Sequence, residues 1–310
     1  MEELLSRQHI EQIYVFDHNE RGLFNAKQDM GAVSDQVEFV LGDVRERDKL
    51  DMVLPKVDSV IHAAALKHVP LGEQNPYEAV KTNVISTQNV LDGARKAGVT
   101  RVLGVSTDKA AQPTSVMGAT KLLSERLLTA ANGETDDLVC GSVRLGNVVG
   151  SSGSVARVFK KQIEKGGPVT VTHPEMSRFM FTPENAASFI VDAFEQLSGG
   201  EIRIPKMDSV RIMDLADTMI ETMSPPDTDP ADIQIEIIGT RPGERLHERL
   251  LTDTEARNTV ELDDSFFIAN QLGAGEELVS DGGAGLTTPY HSEEARFLSL
   301  DEVAELIADI

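Results

Sequence analysis

The sequence predicts an α/β fold, a doubly wound parallel sheet with a smaller α+β lobe, on three observations. Short apolar runs alternate with helical patterns through residues 1–150. Most of the runs close on acidic, small or hydroxyl residues. Beyond residue 150 the alternation loosens and Gly, Ser and Pro become frequent, as in Ser151-Ser152-Gly153-Ser154 and Gly166-Gly167-Pro168.

Taken in order, residues 4–11 read as the tail of a helix. Ile13-Tyr14-Val15-Phe16 is a strand ending in Asp17, and Val37-Glu38-Phe39-Val40 leads to Gly42-Asp43-Val44. Ser59-Val60-Ile61-His62 runs into Ala63-Ala64-Ala65, Arg101-Val102-Leu103-Gly104-Val105 into Ser106-Thr107, and a later strand covers 138–143. Helices are expected over 76–98 and 116–131. The second half reads as mixed short strands and isolated helices, with a surface loop at 225–230, a mobile Gly- and acid-rich stretch at 273–289 and a closing helix over 300–310.

Bulk properties set limits. Hydrophobic residues are 40% and charged residues 26% of the 310, the balance of a soluble globular protein. The formal charge of −22 argues against a nucleic-acid partner, which wants a basic footprint. No apolar run reaches the ~20 residues of a membrane span, and Glu2-Glu3 stand where a secretory signal carries bases. A single cysteine, Cys140, excludes an intramolecular disulfide and fits a cytoplasmic location. His62, His68, His173 and His247 lack the paired spacing of a zinc site, so no metal is expected.

In doubly wound sheets ligands bind beyond the carboxyl ends of the strands, where Asp17, Asp43, Ala63 and Ser106 fall. An acid ending the second strand can hold an adenosine ribose and select NAD, with NADP the alternative. The rival reading is that Asp17 only opens the turn His18-Asn19-Glu20. Asp43 and Val44 fit an adenine contact, and Ala63, Ala64 and Ala65 fit a wall beside a pyrophosphate. Asn83, a poor helix former in mid-helix, needs a partner for its amide. The fold is therefore Rossmann-like, but residues 1–16 contain no glycine. Its first strand and Gly-rich turn, expected roughly 20 residues before the ribose acid, are missing. Either the gene starts upstream, or the product is truncated and non-catalytic.

Ser106-Thr107-Asp108-Lys109 closes a strand, and Met117-Gly118-Ala119-Thr120-Lys121 opens the next helix. A hydroxyl, an acid and two lysines then converge where a nicotinamide would lie. The rival reading makes Asp108 a turn cap and both lysines surface residues.

His62-Ala63-Ala64-Ala65-Leu66-Lys67-His68-Val69-Pro70, Lys81-Thr82-Asn83-Val84, Ser106-Thr107-Asp108-Lys109-Ala110 and Arg144-Leu145-Gly146-Asn147-Val148-Val149-Gly150 together resemble the UDP-N-acetylglucosamine 4,6-dehydratases. These are the CapD-like polysaccharide-biosynthesis branch of the extended short-chain dehydrogenases. Pro168-Val169-Thr170-Val171-Thr172-His173-Pro174, Gly199-Gly200-Glu201-Ile202, Ile204-Pro205-Lys206 and Thr240-Arg241-Pro242-Gly243-Glu244 extend the likeness over residues 4–270. The resemblance implies an NAD(P)-binding domain at 1–150, incomplete at its start. It also implies a mainly substrate-binding lobe at 151–310, part of which can return to the sheet. It implies a UDP-sugar substrate, a homo-oligomer, and transient oxidation at C4, proton loss at C5 and water loss from C6.

By the same resemblance Thr107 orients the C4 hydroxyl, Asp108 is the acid, Lys109 the base, and Lys121 holds ribose and nicotinamide. Met117 stands where most short-chain dehydrogenases carry tyrosine, and a thioether cannot relay that proton. Some family members share the methionine; the rival reading is simple packing with a lost relay. Arg144, Asn147, Arg178, Arg241 and Arg245 are read as anion-handling residues. Asn147, Arg178 and Arg241 are expected nearest the UDP, Glu244 on a ribose hydroxyl, and Lys67 on the substrate. An epimerase or reductase of the same fold is the enzymatic alternative, disfavoured by the missing tyrosine and the Asp-Lys pair.

Overall fold

The computed structural model describes residues 1–7, 9–30, 35–132, 137–269 and 288–310. The 273–289 stretch read as mobile lies, up to residue 287, outside the described residues. The first half runs α1 (Glu2–Leu5), β1 (Ile13–Asp17), α2 (Glu20–Asp29), β2 (Val37–Leu41), α3 (Arg47–Val53), β3 (Ser59–His62), α4 (Val69–Gln74) and α5 (Pro76–Ala79). A π-helical segment (Val80–Ile85) follows, then α6 (Ser86–Ala97), β4 (Arg101–Thr107), α7 (Val116–Ala131) and β5 (Val139–Leu145). Helix α6 stops at Gly98, whose φ of 77° is the left-handed cap glycine adopts at least cost.

The second half adds β6 (Asn147–Val148), α8 (Val155–Ile163), β7 (Val169–Val171), β8 (Ser177–Phe181), α9 (Pro183–Glu195), β9 (Ile202–Pro205) and β10 (Ser209–Arg211). It ends with α10 (Ile212–Met223), β11 (Ile235–Ile237), β12 (Arg249–Leu251), α11 (Asp253–Ala256), β13 (Thr259–Glu261), β14 (Ser265–Ile268), β15 (Tyr290–His291) and α12 (Leu300–Leu306).

The main sheet has six strands in the order β13-β14-β9-β5-β4-β3. Strands β3, β4, β5 and β9 are parallel, and β14 and β13 add on antiparallel. Successive side chains of β4 show why helices cover both faces. Val102 joins Leu50, Leu54, Val90, Leu91 and Leu128 on one side, while Leu103 joins Val143, Ala193, Phe194 and Leu197 on the other. Both are fully buried, worth roughly 1.5–3 kcal/mol each. Phe159, Ile163, Leu215, Met219 and Val303 build a separate core under the smaller sheets.

Strands β1 and β2 form their own parallel pair, with Ile13 opposite Val37. Phe16 and Val44 fasten that pair to the cluster of Leu50, Val90 and Leu128. In a doubly wound sheet of order 3-2-1-4-5-6 the place between β1 and β3 is that of the first strand. Among the described residues no strand lies there, and β3 ends the main sheet.

Candidate active site

Strand β4 ends at Thr107, and Asp108–Ala110 turn at once into a short 3₁₀ segment whose cap is the Thr107 side chain. That turn folds three reactive groups together. The Thr107 hydroxyl donates to Asp108 Oδ1 at 2.7 Å, and Lys109 Nζ donates to the same oxygen at 2.9 Å. Lys109 also reaches Asn147 Oδ1 at 3.4 Å, just past the end of β5. Asp108 is 2% exposed, and its Oδ2, like the Ser106 hydroxyl, is buried with no hydrogen-bond partner among the described residues. Unsatisfied polar atoms at a strand end are costly unless something outside the chain satisfies them.

A residue the sequence reading did not single out completes the cluster. Glu248, just before β12 and 4% exposed, places Oε1 3.3 Å from Lys109 Nζ and 3.7 Å from Arg178 Nε. Burial is the largest single influence on Lys109 and pushes its ammonium down. Asp108 and Glu248 outweigh it, against Arg178, and hold the lysine above its ordinary value. The pairing could have been suspected only from Arg178, a cation in the apolar strand Ser177-Arg178-Phe179-Met180-Phe181, which needs a carboxylate somewhere.

Helix α7 is pressed onto this turn. Ser115 caps it by accepting from Gly118 N at 3.1 Å, and Glu73 accepts from Val116 N at 2.7 Å. A Cβ on Gly118 would lie 2.4 Å from the Lys109 carbonyl oxygen, so only glycine allows the approach. The helix brings Met117 (4% exposed) and Lys121 (7%) inward. Lys121 donates to the Val105 carbonyl. Burial pushes its ammonium down to about 8, with Glu125 opposing.

Asn83, expected at a cofactor, is buried in the π segment. It accepts from Leu66 N at 2.7 Å and spends both amide hydrogens on Leu66 O and Thr120 Oγ1. It pins the loop that carries Ala63 and Ala64, both exposed, Ala65, half-buried, and Lys67, exposed.

Beside it, His62 meets Thr87 Oγ1 at 3.2 Å and is buried. Burial, then the charge of Lys121, depresses its imidazole to about 3. The unfolded chain therefore takes a proton near 6.5 that the folded chain refuses. His62's contribution is intact above pH 6.5 and declines by up to about 1.4 kcal/mol per pH unit as pH falls toward 3. Urea unfolding at pH 7 and pH 5 should show the decline, and His62→Gln should flatten it. An unchanged pH dependence in that variant would show that the proton is taken up elsewhere.

The other predicted residues divide. Asp17, exposed at the end of β1, accepts from Asn19 N at 2.8 Å, and Gly42 N donates to its carbonyl at 3.0 Å, which sets Asp17 near Asp43. Asp43 is clasped by Arg45, which donates from Nε at 2.8 and 2.9 Å and holds the carboxyl below its usual range. Arg178 gives its terminal nitrogens to the carbonyls of Ser177, Leu246 and Arg245. Glu244 lies 3.8 Å away, and its other oxygen accepts from the backbone of exposed Arg241 at 3.0 Å. Arg245 donates to the Gln112 carbonyl. Arg144 corrects the sequence reading. It is fully buried between Glu125 and Glu255, 2.8 and 2.9 Å away, and cannot meet an external anion.

Among the described residues no helix is long and apolar enough to cross a membrane, and no group of three or more His, Cys, Asp or Glu could hold a metal ion.

Comparison with known proteins fits this arrangement. A Methanocaldococcus jannaschii protein named as an uncharacterized membrane protein is 44% identical over 302 residues, covering 96% of this chain and 88% of that one. The inverting UDP-N-acetylglucosamine 4,6-dehydratase of Campylobacter jejuni (strain NCTC 11168) is 39% identical over 263 residues, 79% of this chain and 76% of its own. A UDP-glucose 4-epimerase of Rickettsia rickettsii is 34% identical over 96% of this chain and 87% of its own. Among solved structures, Pen from Bacillus thuringiensis superposes with a TM-score of 0.91 at 34% identity, covering 100% of this chain and 94% of that one. The profile of the polysaccharide biosynthesis protein family matches residues 1–270, and the chain belongs to that family, in its CapD-like branch.

Proposed function

We propose that the protein is a nucleotide-sugar 4,6-dehydratase that converts UDP-N-acetylglucosamine to a UDP-4-keto-6-deoxy-N-acetylhexosamine for surface polysaccharide or glycoprotein sugars. The observation that carries the reading is the hydrogen-bonded run of Thr107 hydroxyl, Asp108 carboxylate and Lys109 amine at the carboxyl end of β4. The names of the Campylobacter relative and of the wider family support it.

The residues present fit a bound NAD. Asp17 is exposed at a strand end, Ala63 and Ala64 present small exposed side chains, and the Ser106 hydroxyl and buried Lys121 lie beside the acid–base cluster. Asp17 would hold the adenosine ribose, Asp43 and Val44 the adenine, Ala63 to Ala65 the pyrophosphate side, and Lys121 the nicotinamide ribose. Asn83 would act by fixing the alanine loop. NAD, when bound, would supply a hydride acceptor for C4 and a hydride source for C6.

The protein's own groups move the protons. Thr107 receives the C4 hydroxyl proton and passes it to Asp108, to which it already donates. The new ketone acidifies C5, and Lys109 as free amine takes that proton. Asp108 then gives its proton to the departing C6 hydroxyl, and Lys109 returns a proton to C5. Met117 takes no part in proton transfer, because a thioether has no proton to give. Lys67, Asn147, Arg178, Arg241 and Glu244 would hold the UDP-sugar, with Arg241, exposed, the arginine most open to a diphosphate.

Incubation of the NAD-loaded protein with UDP-N-acetylglucosamine should give the 4-keto-6-deoxy product, detected by mass spectrometry. Conversion to UDP-N-acetylgalactosamine instead would favour the epimerase reading that the Rickettsia relative's name supports. An intact, NAD-loaded protein that forms none of these products would overturn the dehydratase proposal.

A further inference from the structure

Lys109 lies between two carboxylates, Asp108 at 2.9 Å and Glu248 at 3.3 Å, and both favour its ammonium. The proposed chemistry changes one of them. By the time the C5 hydrogen leaves, Asp108 holds the C4 hydroxyl proton and carries no charge. The amine that takes the C5 proton becomes ammonium at that moment, and a cation formed in a buried cluster needs an anion beside it. Among the described residues, Glu248 is the carboxylate within reach that is still charged. It is 4% exposed, and its backbone is fixed at both polar atoms. Its N–H donates to Ser292 Oγ and its carbonyl accepts from Ser292 N, each at 2.9 Å. The other groups around the amine do not replace it. Asn147 has no charge, Lys121 turns to the Val105 carbonyl, and Arg178 is itself a cation, 3.7 Å from Glu248 and 3.8 Å from Glu244.

We propose that Glu248 is a positioning residue for Lys109, the fixed counter-ion to the ammonium that forms when the amine takes the C5 hydrogen. The inference rests on the dehydratase reading. In the step, the C5–H bond breaks, its proton joins Lys109 Nζ, and its electron pair passes into the enolate of the C4 ketone. Collapse of the enolate expels the C6 hydroxyl with the proton from Asp108. Glu248 gains and loses no proton and never touches the sugar. Its charge acts twice, in opposite senses. Before the step it favours ammonium, so only a small fraction of the resting protein carries the free amine near neutral pH, the surplus proton being lost to solvent as pH rises. During the step it stabilises the charge being formed, so each free amine is a stronger base.

The experiment compares kcat/KM of wild type, Glu248→Gln and Glu248→Asp in the NAD-loaded protein with UDP-N-acetylglucosamine between pH 6 and 10. Wild type should climb about tenfold per pH unit through neutral pH, because the free amine is the scarce form. The glutamine variant, of the same size but without charge, should reach its plateau roughly one pH unit or more earlier. That plateau should be about threefold or more below the wild type's, since the weaker base gains less in the transition state. The two profiles therefore cross, the variant being the faster near neutrality and the slower in alkali. The aspartate variant, with its charge one carbon further back, should lie between them. A merely structural loss would lower kcat/KM by one factor at every pH.

A second reading needs no turnover: the pH dependence of Lys109 acetylation by acetic anhydride, followed by peptide mass spectrometry. Its midpoint should fall by roughly one pH unit or more in Glu248→Gln, because a negative neighbour is gone while Arg178 remains. Thermal melting checks that both variants fold, and either one that folds carries the test.

Parallel profiles and an unmoved acetylation midpoint overturn the inference and leave the dehydratase reading standing. A wild type that makes no 4-keto-6-deoxy product overturns the dehydratase reading, and the counter-ion role falls with it.

Discussion

Lys109→Ala is expected to abolish water loss from the sugar, lowering kcat by roughly 10²- to 10⁴-fold, the usual contribution of a positioned general base. The variant keeps Thr107 and Asp108, so oxidation at C4 should still occur, and reduced nicotinamide should accumulate without product. A further reading separates the steps. In deuterated water the wild type should place deuterium at C5, and the alanine variant should leave that hydrogen in place. The substitution also leaves Asp108 and Glu248, both nearly inaccessible, without the cation between them. Some loss of stability is therefore expected, and Lys109→Gln, which keeps a donor but no base, is the fairer comparison. Retained turnover in either variant would remove Lys109 from the chemistry.

The parts of the molecule that sequence could reveal are those fixed by local pattern. The 116–131 helix appears with those bounds because Ser115 caps it and its apolar face repeats with the helical period. The strand expected over 138–143 runs from Val139 to Leu145, two residues further, because pairing with β4 continues past the apolar run to Thr107. The helix expected over 76–98 is interrupted by the π segment, which turns Asn83 inward to the Leu66 backbone. No periodicity signals that, since the partners are 17 residues apart in the chain.

The candidate site divides the same way. Thr107, Asp108 and Lys109 are neighbours in sequence, and their meeting follows from one turn. Glu248 arrives from the other half of the chain, and its tie to Lys109 depends on tertiary packing alone. Arg144 was misplaced for a related reason. Arginine in an acidic chain suggests an anion site when read locally, whereas here it satisfies two carboxylates that approach from different elements.

Arg144→Ala carries the largest expected cost to the fold. The guanidinium donates from Nε and Nη2 to Glu125, from Nη1 and Nη2 to Glu255, and from Nη1 to the Leu250 carbonyl, joining α7, β5, β12 and α11. Removing it strands two carboxylates, 1% and 6% exposed, with no other cation bonded to them among the described residues. A loss of about 3–5 kcal/mol is expected, mostly the penalty of uncompensated buried charge rather than the net worth of the triad. Arg144→Met combined with Glu125→Leu and Glu255→Leu should therefore lose less than Arg144→Ala alone.

The pH dependence has a definite sign. Burial pushes Glu255 up, but the charge and hydrogen bonds of Arg144, aided by Thr252, outweigh it and hold the carboxyl below its ordinary value. Its stabilising share is present above the unfolded value and lost as pH falls through the folded one, so wild-type stability should decline on that limb. In Arg144→Ala only the Thr252 hydrogen bonds still oppose burial at Glu255, and acid should then relieve the folded state by protonating the stranded groups. Urea unfolding near pH 7 and pH 4 should accordingly show the gap between the two proteins narrowing in acid. A gap that is constant, or below about 1 kcal/mol at pH 7, would mean that water reaches the triad and that it does not clamp the two halves.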